Sequence, residues 1–383
     1  MTHVAESPGG SSPVRVPRLP WGEAPPVSRL GSSSAHAGLR VELVGEWLSA
    51  HNLLGHRHVS AVELLSGRAF AALVRLDDGS AVFIKQPIEA IPPVGALREG
   101  LLLRLIATDD TLRGVRALLP RTLLYDESDN VVVSAGLLEH RTMHAVGVPP
   151  DDGLLRATAS RLATFHRESS SVSMDVSPYY AINPVFDFSR VTPLNFARAP
   201  GSGFGTYLAA MQALDVPLRA IADEWRPTCL IHGDFRDDNI LVADRTDAEL
   251  PIAFIVWELG GWGDPLWDLG AWIGQYLYYW VESIKASDGG DFASWVRNSA
   301  IPFPRIQQTT RIILASYAEA SGRPMSGPAN FSARALQLAG VFLLHRVLGS
   351  LESVGSIHAA AFCSLQVGRT LVTQPERAKA IFS

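Results

Sequence analysis

The string His232-Gly233-Asp234-Phe235-Arg236-Asp237-Asp238-Asn239 concentrates side chains able to do chemistry. It sets a carboxylate, Asp234, five residues before an amide, Asn239, on a loop that leads into the apolar run Ile240 to Val242. In that arrangement Asp234 can take the proton of a hydroxyl group while Asn239 offers its oxygen to a metal ion. Phosphoryl transfer needs those parts, a cation for the nucleotide phosphates and a further acidic ligand on the next strand.

Apolar periodicity predicts the elements that must hold these residues. An amphipathic helix spans Leu39 to Leu54 and is closed by Gly55. Three antiparallel strands follow: Val59 to Leu65, Ala69 to Leu76, and Ala81 to Ile84 ending on Lys85. The hairpin signal Asp77-Asp78-Gly79 joins the last two. A helix from about Ala96 to Ala107 carries Glu99 in its first turn, and two more strands cover Arg121 to Asp126 and Val131 to Leu138. Beyond Leu138 come a helix over Gly153 to Phe165, an irregular stretch through Ser202 and a helix over Phe204 to Trp225. A strand pair, Ile240 to Val242 and Ala253 to Val256, precedes a tail of helices near 267–286, 304–321, 332–355 and 358–372. The fold class is α+β: a small five-stranded antiparallel sheet with one helix, then a larger, mainly helical lobe. The domain reading is a disordered tail over 1–35, an amino-terminal lobe over 36–140 and a carboxy-terminal lobe over 141–383.

Composition narrows the function classes. A net charge of −5 with no long Lys/Arg run gives no support to nucleic-acid binding. Cys229 and Cys363 form no CxxC pair, which argues against a zinc knuckle or a disulfide framework and for the cytosol. Apolar runs such as Ala271 to Trp280 are too short to span a bilayer, so no membrane is expected as a partner. The Ser-, Pro- and Gly-rich start lacks the apolar centre of a signal peptide, and its Pro-rich residues 13–26 are a possible docking segment for a protein partner.

The chain resembles the aminoglycoside phosphotransferase and choline kinase superfamily, whose fold is protein-kinase-like. The resemblance rests on His232-Gly233-Asp234, Asn239, Ile255-Val256-Trp257-Glu258 and Gly263-Asp264-Pro265-Leu266-Trp267-Asp268-Leu269, and covers roughly residues 59 to 285. It implies Mg²⁺ as cofactor and ATP as co-substrate, with Asp234 as base and Lys85 on the phosphates beside Glu99. It also implies that Ser66-Gly67-Arg68 covers the phosphates, that the hinge near Leu138-Glu139-His140 meets adenine, and that Asp268 braces the catalytic loop. The family's metal-bridging aspartate is here Val256, which has no lone pair to give; Glu258, two residues on, is the substitute ligand the resemblance allows beside Asn239.

Structural alternatives stand beside these readings. Lys85 can be a solvated strand end, Gly67 a plain hairpin turn, and the aromatic group from Trp257 to Trp280 either an acceptor pocket or core. Two functions are carried forward. The first is transfer of a phosphoryl group to a hydroxyl of a small metabolite or of a peptide Ser/Thr in a natural-product pathway. The second is a pseudokinase that binds nucleotide or partner and has lost turnover through Val256. The absence of an acidic excess disfavours polycationic aminoglycosides as acceptors.

Overall fold

The structure, a computed structural model, describes residues 39–65, 69–87, 94–172, 181, 183–187, 202–245, 250–285, 292–322, 331–354 and 358–382. These fall in one compact unit, Gly38–Ser383. The expected tail 1–35, its Pro-rich segment and the turn Ser66-Gly67-Arg68 lie outside the described residues.

The amino-terminal part is an antiparallel sheet in the order β1-β2-β3-β5-β4. Its strands are β1 Val59–Leu64, β2 Ala69–Leu76, β3 Ala81–Pro87, β4 Thr122–Asp126 and β5 Val131–Ala135. Strand β3 continues past Lys85, whose Cα pairs with Ala71 on one side and Val132 on the other. Lys85 is therefore inside the sheet and not at a solvated end. The expected lead-in helix is shorter, α1 Val44–Ala50, and its Val44 and Leu48 close one side of the sheet over Val74, Val82, Ile84 and Val133.

Helix α2, Val94–Thr108, packs on β4. Gly100 lets it approach: a Cβ there would stand 2.1 Å from the Tyr125 ring. The helix begins two residues earlier than expected, so Glu99 falls in its second turn, next to that contact.

The rest is mainly helical: α3 Asp152–Ser169, α4 Ser202–Ala213, α5 Asp215–Asp223, α6 Pro265–Glu282, α7 Phe303–Ser321, α8 Phe331–Val354, α9 Ala359–Thr373 and α10 Pro375–Phe382. The single helix expected over Phe204 to Trp225 is two. Pro217 has no N–H and its ring would clash with the Ala213 carbonyl in a continuous helix, so the chain breaks at Leu214. Helix α6 is buried along most of its length, and α8 packs across it. Asp264 caps α6, accepting from Leu266 N at 3.0 Å ahead of Pro265.

Two small sheets hold the loops between these layers. Strands β6 His140–Thr142, β8 Ile240–Ala243 and β9 Ile252–Phe254 form one, and β7 Cys229–Ile231 with β10 Gly261–Gly263 forms the other. The expected strand through Val256 stops at Phe254. Among the described residues, no helix is long and apolar enough to cross a membrane.

Candidate active site

The loop after β7 is fastened from below by Asp268 of α6. Its carboxylate is fully buried and accepts from His232 N at 2.6 Å, Gly233 N at 2.8 Å and His166 Nε2 at 3.1 Å. His232 accepts from Asp234 N through Nδ1 at 3.3 Å, so its Nε2 carries the proton and donates to Ile255 O at 2.8 Å. Burial lowers its pKa despite the charges of Asp268 and Asp234, consistent with that neutral ring. Gly233 has φ +81°, and a Cβ there would sit 2.2 Å from Leu259 O. Only glycine fits between the two loops.

Asp234 leaves this braced turn half-buried. Its Oδ2 accepts from Asn239 Nδ2 at 2.9 Å and Arg236 Nε at 3.1 Å. Asn239 also gives Nδ2 to Asp234 O at 2.8 Å, which leaves its amide oxygen as the group to offer a cation. Three residues after Asp234 the loop turns inward. Asp237 is fully buried and its Oδ1 accepts from Trp272 Nε1 and Tyr276 OH, each at 2.9 Å. Burial, helped by the charge of Asp238 and opposed by those two hydrogen bonds, pushes its pKa up to about 6.

Lys85 meets two carboxylates. Its Nζ is 2.7 Å from Glu99 Oε2 and 2.6 Å from Glu258 Oε1. The site is buried, which disfavours the ammonium, but Glu99 and Glu258 together hold its pKa above the ordinary lysine value. The other oxygen of Glu99 accepts from Trp257 N at 2.9 Å, so Glu99 ties the sheet's lysine to the segment that carries residue 256. Glu258, expected on the metal, is here a second partner of Lys85.

Val256 adopts φ +65°. This left-handed conformation is an outlier for a β-branched residue, whereas Asp and Asn enter it more readily. The flanking groups hold it there: Ile255 N donates to Asn239 O at 3.0 Å, Ile255 O accepts from His232, and Trp257 N is held by Glu99. Because the strand has ended and the backbone has turned, the alternation that would place Val256 and Glu258 on one side does not apply.

Asp234 opens onto a cavity of about 520 Å³ whose walls include Arg98, Arg236, Trp267, Tyr278, Phe342 and Arg346. The aromatic group thus divides: Trp257, Trp272 and Tyr276 are core, whereas Trp267 and Tyr278 face this cavity. Trp267 Nε1 donates to Gly233 O at 2.8 Å and holds its ring against the loop. Glu139 is elsewhere. Its carbonyl accepts from Asp244 N at 2.8 Å, and it lines a separate hollow with Arg57 and Arg121. Among the described residues, no bond joins it to Lys85.

Comparison with known proteins agrees with this arrangement. The sequence profile described as the phosphotransferase enzyme family (APH) matches residues 61–295, more than half of the chain. The chain belongs to this phosphotransferase family. No curated protein matches it. Solved structures share its fold at low identity. Choline kinase LicA from Streptococcus pneumoniae is 16% identical with a TM-score of 0.54, over 86% of this chain and 98% of that one. A choline/ethanolamine kinase family protein from Mesorhizobium loti is 16% identical with a TM-score of 0.51, over 86% and 93%. The GDP complex of wild-type aminoglycoside 2'-phosphotransferase-IIIa is 15% identical with a TM-score of 0.51, over 87% and 99%.

The phosphotransferase family implies Mg²⁺, and the donor set meets that requirement sparingly. Magnesium is usually held by one or two carboxylates together with substrate phosphates and water. Asn239 has an amide oxygen to give, and Glu258 is a half-exposed carboxylate with one oxygen on Lys85, while Val256 gives nothing. Together they would make a one-carboxylate site, which fits Mg²⁺ only with nucleotide phosphates and water as its further ligands. The cavity arginines were missed in the sequence because Arg98 and Arg346 belong to no motif and lie 248 positions apart, 346 − 98. Arg98 adjoins Glu99 in the chain, but only the folded helix turns it to the cavity while Glu99 meets Lys85.

Proposed function

We propose that this phosphotransferase moves the γ-phosphate of ATP to a hydroxyl of a small metabolite or of a peptide Ser/Thr, in the cytoplasm. The carrying observation is that one loop presents Asp234 to a cavity while the Lys85–Glu99 pair is tied to the same centre through Trp257 N. Asp234 Oδ2 is held by Arg236 and Asn239, and its other oxygen has no hydrogen bond among the described residues. An acceptor hydroxyl would give its proton to that oxygen as its own oxygen bonds to phosphorus. The bond from phosphorus to the bridging oxygen breaks and ADP leaves with the electron pair. Lys85 would exchange Glu258 for nucleotide phosphate, freeing Glu258 to join Asn239 on Mg²⁺, whose contribution when bound is to offset phosphate charge. Retention of the braced loop, the buried Lys85–Glu99 pair and the left-handed turn at 256 supports turnover over a pseudokinase.

The test is ADP release with Mg²⁺ and a hydroxyl-compound library, for the wild type, Asp234→Asn and Lys85→Met. Asp234→Asn is expected to lower kcat by roughly 10²- to 10⁴-fold with the fold intact by circular dichroism. Turnover that survives this change sinks the assignment of Asp234 as base.

A further inference from the structure

Arg98, Arg236 and Arg346 face the cavity that holds Asp234, and Asp234 is the only carboxylate among its described lining residues. Arg236 is already matched, 3.1 Å from Asp234 Oδ2 and 4.0 Å from Asp238 Oδ2. Arg98 and Arg346 are not. Neither forms an ion pair among the described residues, and Arg346 instead lies over the Tyr278 ring at 4.6 Å. Arg98 is half-buried, and desolvation pulls its pKa down, although a guanidinium stays charged at any ordinary pH. A partly desolvated cation without a counter-charge is costly, and an anion in the cavity would remove the cost. The same two forks would repel choline-like or amino-sugar acceptors.

Trp267, Leu259 and Phe342 add apolar surface to the same cavity. The lining is pre-formed: Trp267 is tied to Gly233 O, and His345 Nε2 lies 2.8 Å from Pro184 O. A volume of about 520 Å³ suits a small molecule with a ring or branched body. We infer that the acceptor is an organic anion: a hydroxyl compound with an apolar body and a carboxylate or phosphate, its anionic group held by Arg98 and Arg346 and its hydroxyl at Asp234. This rests on the cavity being the acceptor site of the proposed transfer.

Four probes on one skeleton test it: 3-phenyllactate, 2-hydroxy-3-phenylpropyl phosphate, 3-phenyllactamide and (2-hydroxy-3-phenylpropyl)trimethylammonium. Their binding to the full chain is measured by calorimetry, for the wild type, Arg98→Gln, Arg346→Gln and the double variant, and ADP release is followed in parallel. At least one anionic probe is expected to bind about tenfold or more tighter than the amide and the ammonium compound, with that advantage lost in the double variant. Which anionic probe leads separates carboxylate from phosphate. The inference is overturned if the amide or ammonium probe binds as well, if neither anionic probe binds, or if the advantage survives the double variant. An increase confined to the KM for ATP in Arg98→Gln would move that residue to the nucleotide and also overturn its assignment. Anion-selective binding that the double variant loses, without ADP release in any arm, would leave the cavity an anion site and overturn its reading as the acceptor site. Transfer to the ammonium probe alone would leave the transfer reading standing and overturn the anionic acceptor class.

Discussion

At the scale of single residues, position 256 separates backbone from side chain. The segment keeps a left-handed turn that valine tolerates poorly, at a cost of roughly 1–3 kcal/mol. Asp and Asn enter that region more readily, so Val256→Asp and Val256→Asn should both raise stability by about 1 kcal/mol, read from urea denaturation midpoints at constant slope. Only the aspartate adds a charged ligand; asparagine adds a neutral amide oxygen. Turnover with Mg²⁺ should therefore rise at least about tenfold in Val256→Asp and clearly less in Val256→Asn. Equal rises in the two variants would mean that strain, and not the missing carboxylate, limits the rate. The meeting of Asp234 and Asn239 was legible in the sequence because motif and spacing put carboxylate and amide on one loop. The turn at 256 was not, because valine after the apolar run Ile252 to Ile255 reads as more strand, and the hydrogen bonds that bend it come from residues 99, 232 and 239.

At the scale of elements, the catalytic loop depends on what α6 presents to it. Asp237 enters the helix's face of Trp272, Gln275 and Tyr276 as a buried carboxylate with a pKa raised to about 6. In the unfolded chain it titrates near the ordinary 3.8, so between those values the folded state holds the extra proton. This group's contribution therefore falls as pH rises from about 4 to about 6 and is level above, a change on the order of 3 kcal/mol. Melting temperatures from pH 4 to 8 should show that decline in the wild type, and Asp237→Asn should flatten it. An unchanged slope in the variant would place the titration elsewhere. Gly233→Ala should cost more than a surface change, roughly 2 kcal/mol or more, because its Cβ would meet backbone and not a movable side chain. The larger elements were readable from periodicity, whereas the break before Pro217 is hidden by an apolar pattern that runs on through it. The three-residue strands β6, β7 and β10 were not readable, since so short a run shows no alternation and exists only through its partner.

At the scale of the whole molecule, Lys85 links the two layers. It sits in the sheet, yet Glu258 and the Glu99-bound Trp257 N belong to the segment after β9. Nucleotide phosphate would compete with Glu258 for that ammonium, so binding should be felt by the entire fold. Saturating ATP with Mg²⁺ should raise the melting temperature of the wild type, by up to about 4 kcal/mol of stabilisation at a thousandfold excess over Kd, and leave Lys85→Met unmoved. The net charge of −5 works against approach of an anionic acceptor while the cavity arginines favour its capture. The turn at 256 also bears on how this chain can change over generations. Each valine codon differs in its middle base alone from a codon for aspartate or glutamate, so a single base change would put a carboxylate onto a backbone already turned the way aspartate tolerates.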